Sequence, residues 1–301
     1  MFDHLPQKFR EVILGAFREE GRQWLVSLPE IIKEIEENWS IAVKSPFPNL
    51  SYHYVAPCVF AGGSGEAVLK IGFPGEAVNI LNEVKMLKFL GGRNAVRLLR
   101  FDEKRFAFLL EKLSPGENLK TICKKNNEAR AVEIAIEVMR AFWQKPPEDN
   151  QFPRLENWFG GFDKAAQTEF PSVYIKKARA FFDELSESKQ EMLLHGDFHH
   201  ENILSAARQP FLAIDPKGII GDIGYDISIF MINHANWLKS EPNLREKLDA
   251  AIGKFSEAFK IEPRNLRKWV FAHLVLSAWW SFEENCENWK DELAFAEIWE
   301  V

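Results

Sequence analysis

The hydrophobic rhythm of residues 39–113 constrains the fold of this 301-residue chain more than any other feature. It reads strand, strand, strand, helix, strand, strand. WSIAV, YHYVAPCVF and EAVLKIG have the apolar, β-branched character of strands. Residues 76–90 (EAVNILNEVKMLKFL) then carry Val78, Leu81, Val84, Leu87 and Phe89 on a helical pattern, stopped by the glycine pair at 91–92. VRLLRFD and RFAFLLEKL return to strand character across a short DEK turn. Between the first two strands KSPFPNLS is a loop by composition, and between the second and third AGGSG predicts a hairpin turn in which glycine supplies positive φ. A helical preface fills residues 1–38. Phe9, Val12, Ile13, Ala16, Phe17, Trp24, Leu25 and Leu28 recur at helical spacing, and Pro29 is expected to open a second helix bearing Ile31, Ile32 and Ile35.

From Ser114 onward the pattern is mostly helical, over 117–126, 128–145, 171–192, 226–238, 242–259 and 263–300. One β-rich island interrupts it, MLLHGDFHHENILSAARQPFLAIDPK. The break at Ser114-Pro115-Gly116 predicts two domains, 1–113 with its preface at 1–38, and 114–301. The expected class is α+β: a small lobe with an antiparallel sheet plus helices, then a larger, mainly helical lobe. That outline resembles the two-lobed protein-kinase-like fold.

Charge and cysteine usage exclude several partners. With 44 Asp and Glu against 38 Lys and Arg, the chain lacks the basic excess that phosphate neutralisation on a nucleic acid requires. Three scattered cysteines, Cys58, Cys123 and Cys286, form neither a zinc knuckle nor a disulfide framework, which fits a reducing compartment. No 18-residue apolar run and no signal-peptide core are present, so a cytoplasmic protein with no membrane partner is expected.

The chemistry concentrates in HGDFHHEN, residues 195–202, which sets His195, Asp197 and Asn202 in the order H-x-D-x-x-x-x-N. Asp215 follows thirteen residues after Asn202. Phosphoryl transfer asks little covalent work of a protein: a carboxylate to orient and deprotonate the acceptor hydroxyl, and oxygen ligands for a divalent cation on the phosphates. Asp197 suits the first role, and Asn202 with Asp215 the second. The set resembles the catalytic and metal loops of protein kinases and aminoglycoside phosphotransferases, except that Pro216-Lys217-Gly218 stands where protein kinases have Phe-Gly. Upstream, Lys70 lies in the apolar strand AVLKI, where a charge needs a partner, and Glu83 lies on the next helix. In kinases such a pair positions the α- and β-phosphates. GGSG at 62–65 directly precedes the lysine strand, so in kinase order it is a hairpin turn, and the phosphate-covering loop falls at residues 44–51. LLEKL at 109–113 occupies the hinge position, where the backbone of Glu111 and Leu113 can pair with adenine.

Beyond these positions, EGRQWLVSLPEIIKEIEENWSIAV, PFPNLSYHYVAPCV, VLKIGFPGEAVNILNEVKMLKFLGG, AVRLLRFDEKRFAFLLEKLSPGENL, LLHGDFHHENIL and AIDPKGIIGDIGYDIS resemble the aminoglycoside/hydroxyurea antibiotic-resistance kinases, the streptomycin 6-kinase-like family. The resemblance runs from about residue 20 to 285. It implies a two-lobed kinase-like fold, ATP and Mg²⁺ as cofactors, and phosphorylation of a hydroxyl on a small molecule. It also implies Asp197 as base and Asn202 and Asp215 as metal ligands. The D-P-K-G run is at home in this family.

A streptomycin-like acceptor carries guanidinium groups, which favour carboxylates. Glu283, Glu284 and Glu287 are the candidates near the end of the chain, with Glu156 and Asp163 in the loop-rich RLENWFGGFDKA. The competing readings are a kinase of another sugar or amino alcohol, and a pseudokinase-like binding protein without turnover. Asp226 is expected to cap the apolar helix that follows it, and His199 to belong to the loop scaffold rather than, with His200, to a zinc pair. Lys217 is read either as a phosphate contact or as a solvated side chain. Trp279, Trp280 and Phe282 read as core more readily than as a substrate platform.

Overall fold

A computed structural model describes residues 5–63, 65–124, 127–148, 151–187 and 191–299 of the chain. Two compact units result, the first ending at Gly116 and the second beginning at Glu117. Ser64 of the GGSG turn lies outside the described residues, as do the terminal or internal residues 125–126, 188–190 and 300 of three expected helices.

In the first unit, α1 (Gln7–Trp39) is followed by β1 (Ile41–Val43), β2 (Tyr54–Phe60), β3 (Glu66–Ile71), α2 (Ala77–Leu90), β4 (Leu98–Asp102) and β5 (Ala107–Glu111). The strands form one sheet in the order β1-β2-β3-β5-β4, with every pair antiparallel. Period-two alternation divides the residues of β3 and β5 between its faces. Ala67, Leu69, Ile71, Ala107 and Leu109 join a buried cluster with Phe9, Ile13, Trp24, Leu25, Leu28 and Ile35 of α1. Lys70 and Phe108, directly paired in register, therefore point to the other face. The preface is thus the cover of the sheet's back, each large apolar side chain contributing about 1.5–3 kcal/mol by its burial.

The break in α1 falls at Arg18 (φ 47°, ψ −119°), not at Pro29, which lies inside the second half of the helix. The reason is packing. The chain turns back so closely that a β-carbon on Gly21 would stand 2.5 Å from the Ile13 carbonyl oxygen, an approach only glycine permits. Pro29 is tolerated mid-helix between the buried Leu25 and Leu28 and the buried Ile35. β2 and β3 pair as the expected hairpin, with Gly62 and Gly63 at φ 88° and 76° and the Phe60 N–H donating to Gly65 O at 3.1 Å. Residues 44–51 leave β1 pinned to β2 through Lys44 N–H to Pro57 O (2.8 Å) and Phe47 N–H to Val55 O (3.0 Å).

Crossing the unit boundary is β6 (Pro115–Asn118); in the second unit follow α3 (Leu119–Cys123), α4 (Glu128–Phe142), α5 (Leu155–Phe159), α6 (Gly161–Ala165), α7 (Ser172–Ser186), β7 (Met192–Leu194), β8 (Ile203–Ala206), β9 (Phe211–Ala213), β10 (Ile219–Gly221), α8 (Gly224–Leu238), α9 (Leu244–Phe259), α10 (Pro263–Glu283) and α11 (Trp289–Glu297). RLENWFGGFDKA, expected as loop, forms the one-turn helices α5 and α6, too short for a periodic signal. α10 is buried on nearly every side, including Trp269, Phe271, Leu274, Val275 and Trp279, which marks it as the central helix of the unit. The β island makes two antiparallel pairs, β7 with β10 and β8 with β9. Residues 195–202 connect β7 to β8, and residues 214–218 connect β9 to β10, so the two pairs bring both connections to one place.

Candidate active site

The lysine of the first unit is built by the sheet. Lys70 is only 5% exposed, and its Nζ donates to Glu83 Oε2 at 2.6 Å, with Glu83 itself 2% exposed on α2. The ammonium also lies 5.4 Å from the Phe108 ring centroid, a favourable cation–π arrangement. A buried pair of this kind is held because either charge alone would be costly to strand there. Glu111 ends β5, where its N–H donates to Arg97 O at 2.9 Å and its carboxylate accepts from Arg97 N–H at 3.1 Å. Leu113 follows with its side chain 8% exposed.

In the second unit the structure brings Asp197, Asn202, Asp215 and Lys217 together. The Asn202 amide NH₂ donates to the Asp197 backbone carbonyl at 2.9 Å and approaches Asp197 Oδ2 at 3.4 Å. This fixes the amide orientation and leaves Oδ1 as an oxygen donor. The Lys217 ammonium lies 3.2 Å from Asp215 Oδ2 and 3.9 Å from Asp197 Oδ2, so one cation serves both carboxylates. His199 Nε2 stands 3.6 Å from Asp197 Oδ1, and His199 Nδ1 accepts from the Glu201 N–H, confirming it as part of the loop scaffold. Asp215 sits at φ 58°, a left-handed conformation open to Asp at modest cost.

Main-chain contacts lock the two connections to each other. The Lys217 and Gly218 N–H groups both donate to His195 O, at 2.7 and 3.3 Å, and Ile214 N–H donates to Asn202 O at 3.0 Å. His195 is fully buried. Its Nδ1 accepts from the Asp197 N–H at 3.2 Å, which assigns the proton to Nε2, the atom 2.9 Å from Ile214 O. Burial depresses its pKa to about 3, keeping the ring neutral.

Asp226 is not the helix cap expected of it. It lies inside the first turn of α8, and the Asx bond at that terminus is made by Asp222 Oδ1 to the Gly224 N–H at 2.8 Å. The fully buried Asp226 carboxylate instead accepts from His195 N–H, Gly196 N–H and the Trp143 indole N–H, each at 2.8 Å. Burial raises its pKa to about 6 against the lowering effect of those three donors. The missed signal was an aspartate within a helix apolar on every face. Lys217 is placed by the geometry above, beside both aspartates.

The donor set fits a divalent cation of the magnesium type: with its NH₂ turned to Asp197, Asn202 presents Oδ1, and Asp215 presents a carboxylate. Among the described residues no three His, Cys, Asp or Glu side chains gather as a cage. Magnesium does not need one, since it commonly takes one or two protein oxygens and completes its shell with phosphates and water.

The acidic acceptor candidates separate. Asp163 is ion-paired with Arg179 at 2.5 Å and Glu156 with Arg154 at 3.6 Å. Glu283 and Glu284 sit at the C-terminal end of α10, both exposed, with Glu283 3.8 Å from Lys164 Nζ; Glu287 is exposed in the turn beyond. Trp279 is core at 3% exposure, whereas Trp280 is half-buried.

Residues 55–285 match the family described as aminoglycoside/hydroxyurea antibiotic resistance kinase. The chain belongs to that family. This kinase-family chain is 26% identical to a streptomycin 6-kinase of Streptomyces griseus over 93% of its own length and 92% of the relative's. It is 27% identical to a hydroxyurea phosphotransferase of Kitasatospora aureofaciens over 93% and 81% of the two chains. Among solved structures it resembles the aminoglycoside phosphotransferase APH(3'')-Id of Streptomyces rimosus, solved with ADP and streptomycin. There the TM-score is 0.60 at 15% identity, covering 83% of this chain and 97% of the other. The fold is therefore the protein-kinase-like fold, and the family member is a phosphotransferase. No helix among the described residues is long and apolar enough to cross a membrane.

Proposed function

We propose that the chain transfers the γ-phosphoryl group of ATP, with Mg²⁺, to a hydroxyl of a streptomycin-type aminoglycoside. The observation that carries this reading is the convergence of Asp197, Asn202, Asp215 and Lys217 on two connections bolted together through His195. Asp197 has the place of the base: it orients the acceptor hydroxyl and takes its proton as the oxygen attacks phosphorus. Asn202 Oδ1 and Asp215 would hold the metal, which when bound supplies charge neutralisation on the phosphates. Lys217 adds a fixed positive charge beside both aspartates. Lys70, oriented by Glu83, is assigned to the α- and β-phosphates, and the backbone of Glu111 and Leu113 to the adenine edge. Cys58, Cys123 and Cys286 are free thiols, in keeping with a reducing, cytoplasmic setting.

The test is a screen of small-molecule hydroxyl acceptors with ATP and Mg²⁺, with mass spectrometry locating the phosphate. Streptomycin is expected to gain one phosphoryl group, and Asp197→Ala to abolish transfer. Consumption of another polyol with streptomycin untouched removes the antibiotic assignment. ATP turnover that survives Asp197→Ala removes the mechanism.

A further inference from the structure

Trp158 and Trp280 make an aromatic corner at the edge of the catalytic loop. Both indoles are half-buried and meet edge to face, centroids 5.8 Å apart. The Trp158 ring reaches the loop itself: its Cη2 would stand 3.4 Å from a β-carbon on Gly196, the residue before Asp197. Buried Tyr225, next to Asp226, supports Trp158 from another side at 5.7 Å. Its position is therefore set by the same framework that sets the base.

This corner differs from the unit's other aromatic clusters. Phe159, Phe162, Phe182 and Trp269 are buried against one another and serve packing. Trp158 and Trp280 remain partly in water, and among the described residues neither indole N–H is given to a protein acceptor. Carboxylates follow Trp280 at the end of its helix, α10. Glu283 and Glu284 follow Trp280 by three and four residues, the spacings that share a helix face, and the Glu284 N–H donates to Trp280 O at 3.0 Å. The C-terminus of α10 adds a partial negative charge there. The basic group nearby is Lys164, 3.8 Å from Glu283.

We propose that Trp158, Trp280 and Glu284 form a subsite for a planar cation carried by the acceptor, a guanidinium above all. Trp158, packed on Gly196, ties this subsite to the loop that carries Asp197. Indole faces attract cations, most strongly where water is partly excluded, and an adjacent carboxylate completes recognition of a guanidinium. The inference rests on the kinase reading of Asp197 and names the side chains that would select a cationic acceptor at that site.

Calorimetric titration of streptomycin into the parent chain, Trp158→Leu, Trp280→Leu and Trp280→Phe tests it, with phosphate transfer measured in parallel. The leucine variants are expected to weaken Kd about 5- to 30-fold, and Trp280→Phe, which keeps a π face, about two- to threefold. Should a leucine variant lose its native circular dichroism, Trp158→Phe and Trp280→Phe carry the comparison, again with Trp binding tighter than Phe. Native-like leucine variants with Kd within twofold of the parent overturn the subsite, as do phenylalanine variants that bind as tightly as the parent, or a parent that does not bind streptomycin. Binding that depends on both tryptophans without phosphate transfer overturns the kinase reading instead and leaves the subsite standing.

Discussion

Replacing Asp226 separates stability from activity in a way the structure makes quantitative. The carboxylate accepts three N–H groups at 2.8 Å, all out of water. Charge-assisted bonds of this kind are worth about 1.5–3 kcal/mol each. Burying the charge has its own cost. A pKa raised from 3.8 to about 6 means the ionised form is penalised by about 3 kcal/mol relative to the neutral one. That penalty is already net of the three bonds, so it is not set against their full worth. Alanine removes it but strands three buried donors at about 1–3 kcal/mol each, a net loss of up to about 6 kcal/mol. Asparagine also removes the penalty while its one acceptor keeps two of the three donors, so Asp226→Asn should lie within about 1 kcal/mol of the parent. Its NH₂ must nevertheless oppose one N–H, and Gly196 is the donor with an oxygen to itself. Displacing Gly196 moves Asp197, and misplacement of about 1 Å can cost on the order of a hundredfold in rate. Urea unfolding at pH 7 and kcat on the identified acceptor are the assays. Asp226→Asn should keep its unfolding midpoint and lose at least about tenfold in kcat. Equal destabilisation by Asn and Ala would show that the charge itself stabilises the fold and refute the reasoning. So would wild-type kcat in a folded Asp226→Ala.

Lys70→Met leaves the Glu83 carboxylate buried without its ammonium and should cost about 3–5 kcal/mol in urea unfolding, together with ATP turnover. Lys70→Met with Glu83→Gln should regain most of that stability and none of the turnover; recovery of turnover would remove Lys70 from the phosphate role. Gly196→Ala must hold φ near 81° and place a β-carbon 3.1 Å from Lys217 Cβ. It should cost about 1–2 kcal/mol and lower kcat with little change in ATP KM, which steady-state kinetics will show. Stability should depend steeply on acid. Burial holds His195, His234 and His273 at about 3, 4 and 3, against 6.5 for a free imidazole, so the unfolded chain binds the extra protons. Their contribution is intact above pH 6.5 and declines as pH falls toward 4. Asp226, raised from 3.8 to about 6, works the opposite way over that lower window as a single proton against three. Melting temperatures between pH 4.5 and 7.5 should therefore rise with pH, and a flat profile would contradict neutral burial of the histidines.

The parts of the site legible in the sequence were those whose role is tied to local spacing. Lys70 announces itself as a charge in an apolar strand, and Asp197, Asn202 and Asp215 as oxygens at fixed intervals around short strands. Elements of the first unit were readable because alternation and helical period are strong over 5 to 14 residues. What spacing could not show is tertiary. Asp226 looks like a cap until the loop that needs its carboxylate is folded beside it. α5 and α6, five residues each, are too short to carry a period, so Trp158 was hidden in apparent loop. The turn at Arg18 has no residue signature, because what permits it is the missing side chain of Gly21 three positions later. Trp279 and Trp280 read alike in sequence, and only the packing of α10 sends one inward and leaves the other at the edge.

The cover that α1 lays over the sheet also sets an order of events during synthesis. Its buried cluster joins Phe9 to Leu109, so the side chains of α1 have no complete partner surface until β5 has been made. At about 5–20 residues per second, the first helix waits roughly 5–20 seconds with its apolar stripe exposed. Yield on expression should therefore respond to chaperone supply and translation rate through α1, a segment that supplies none of the residues proposed for catalysis.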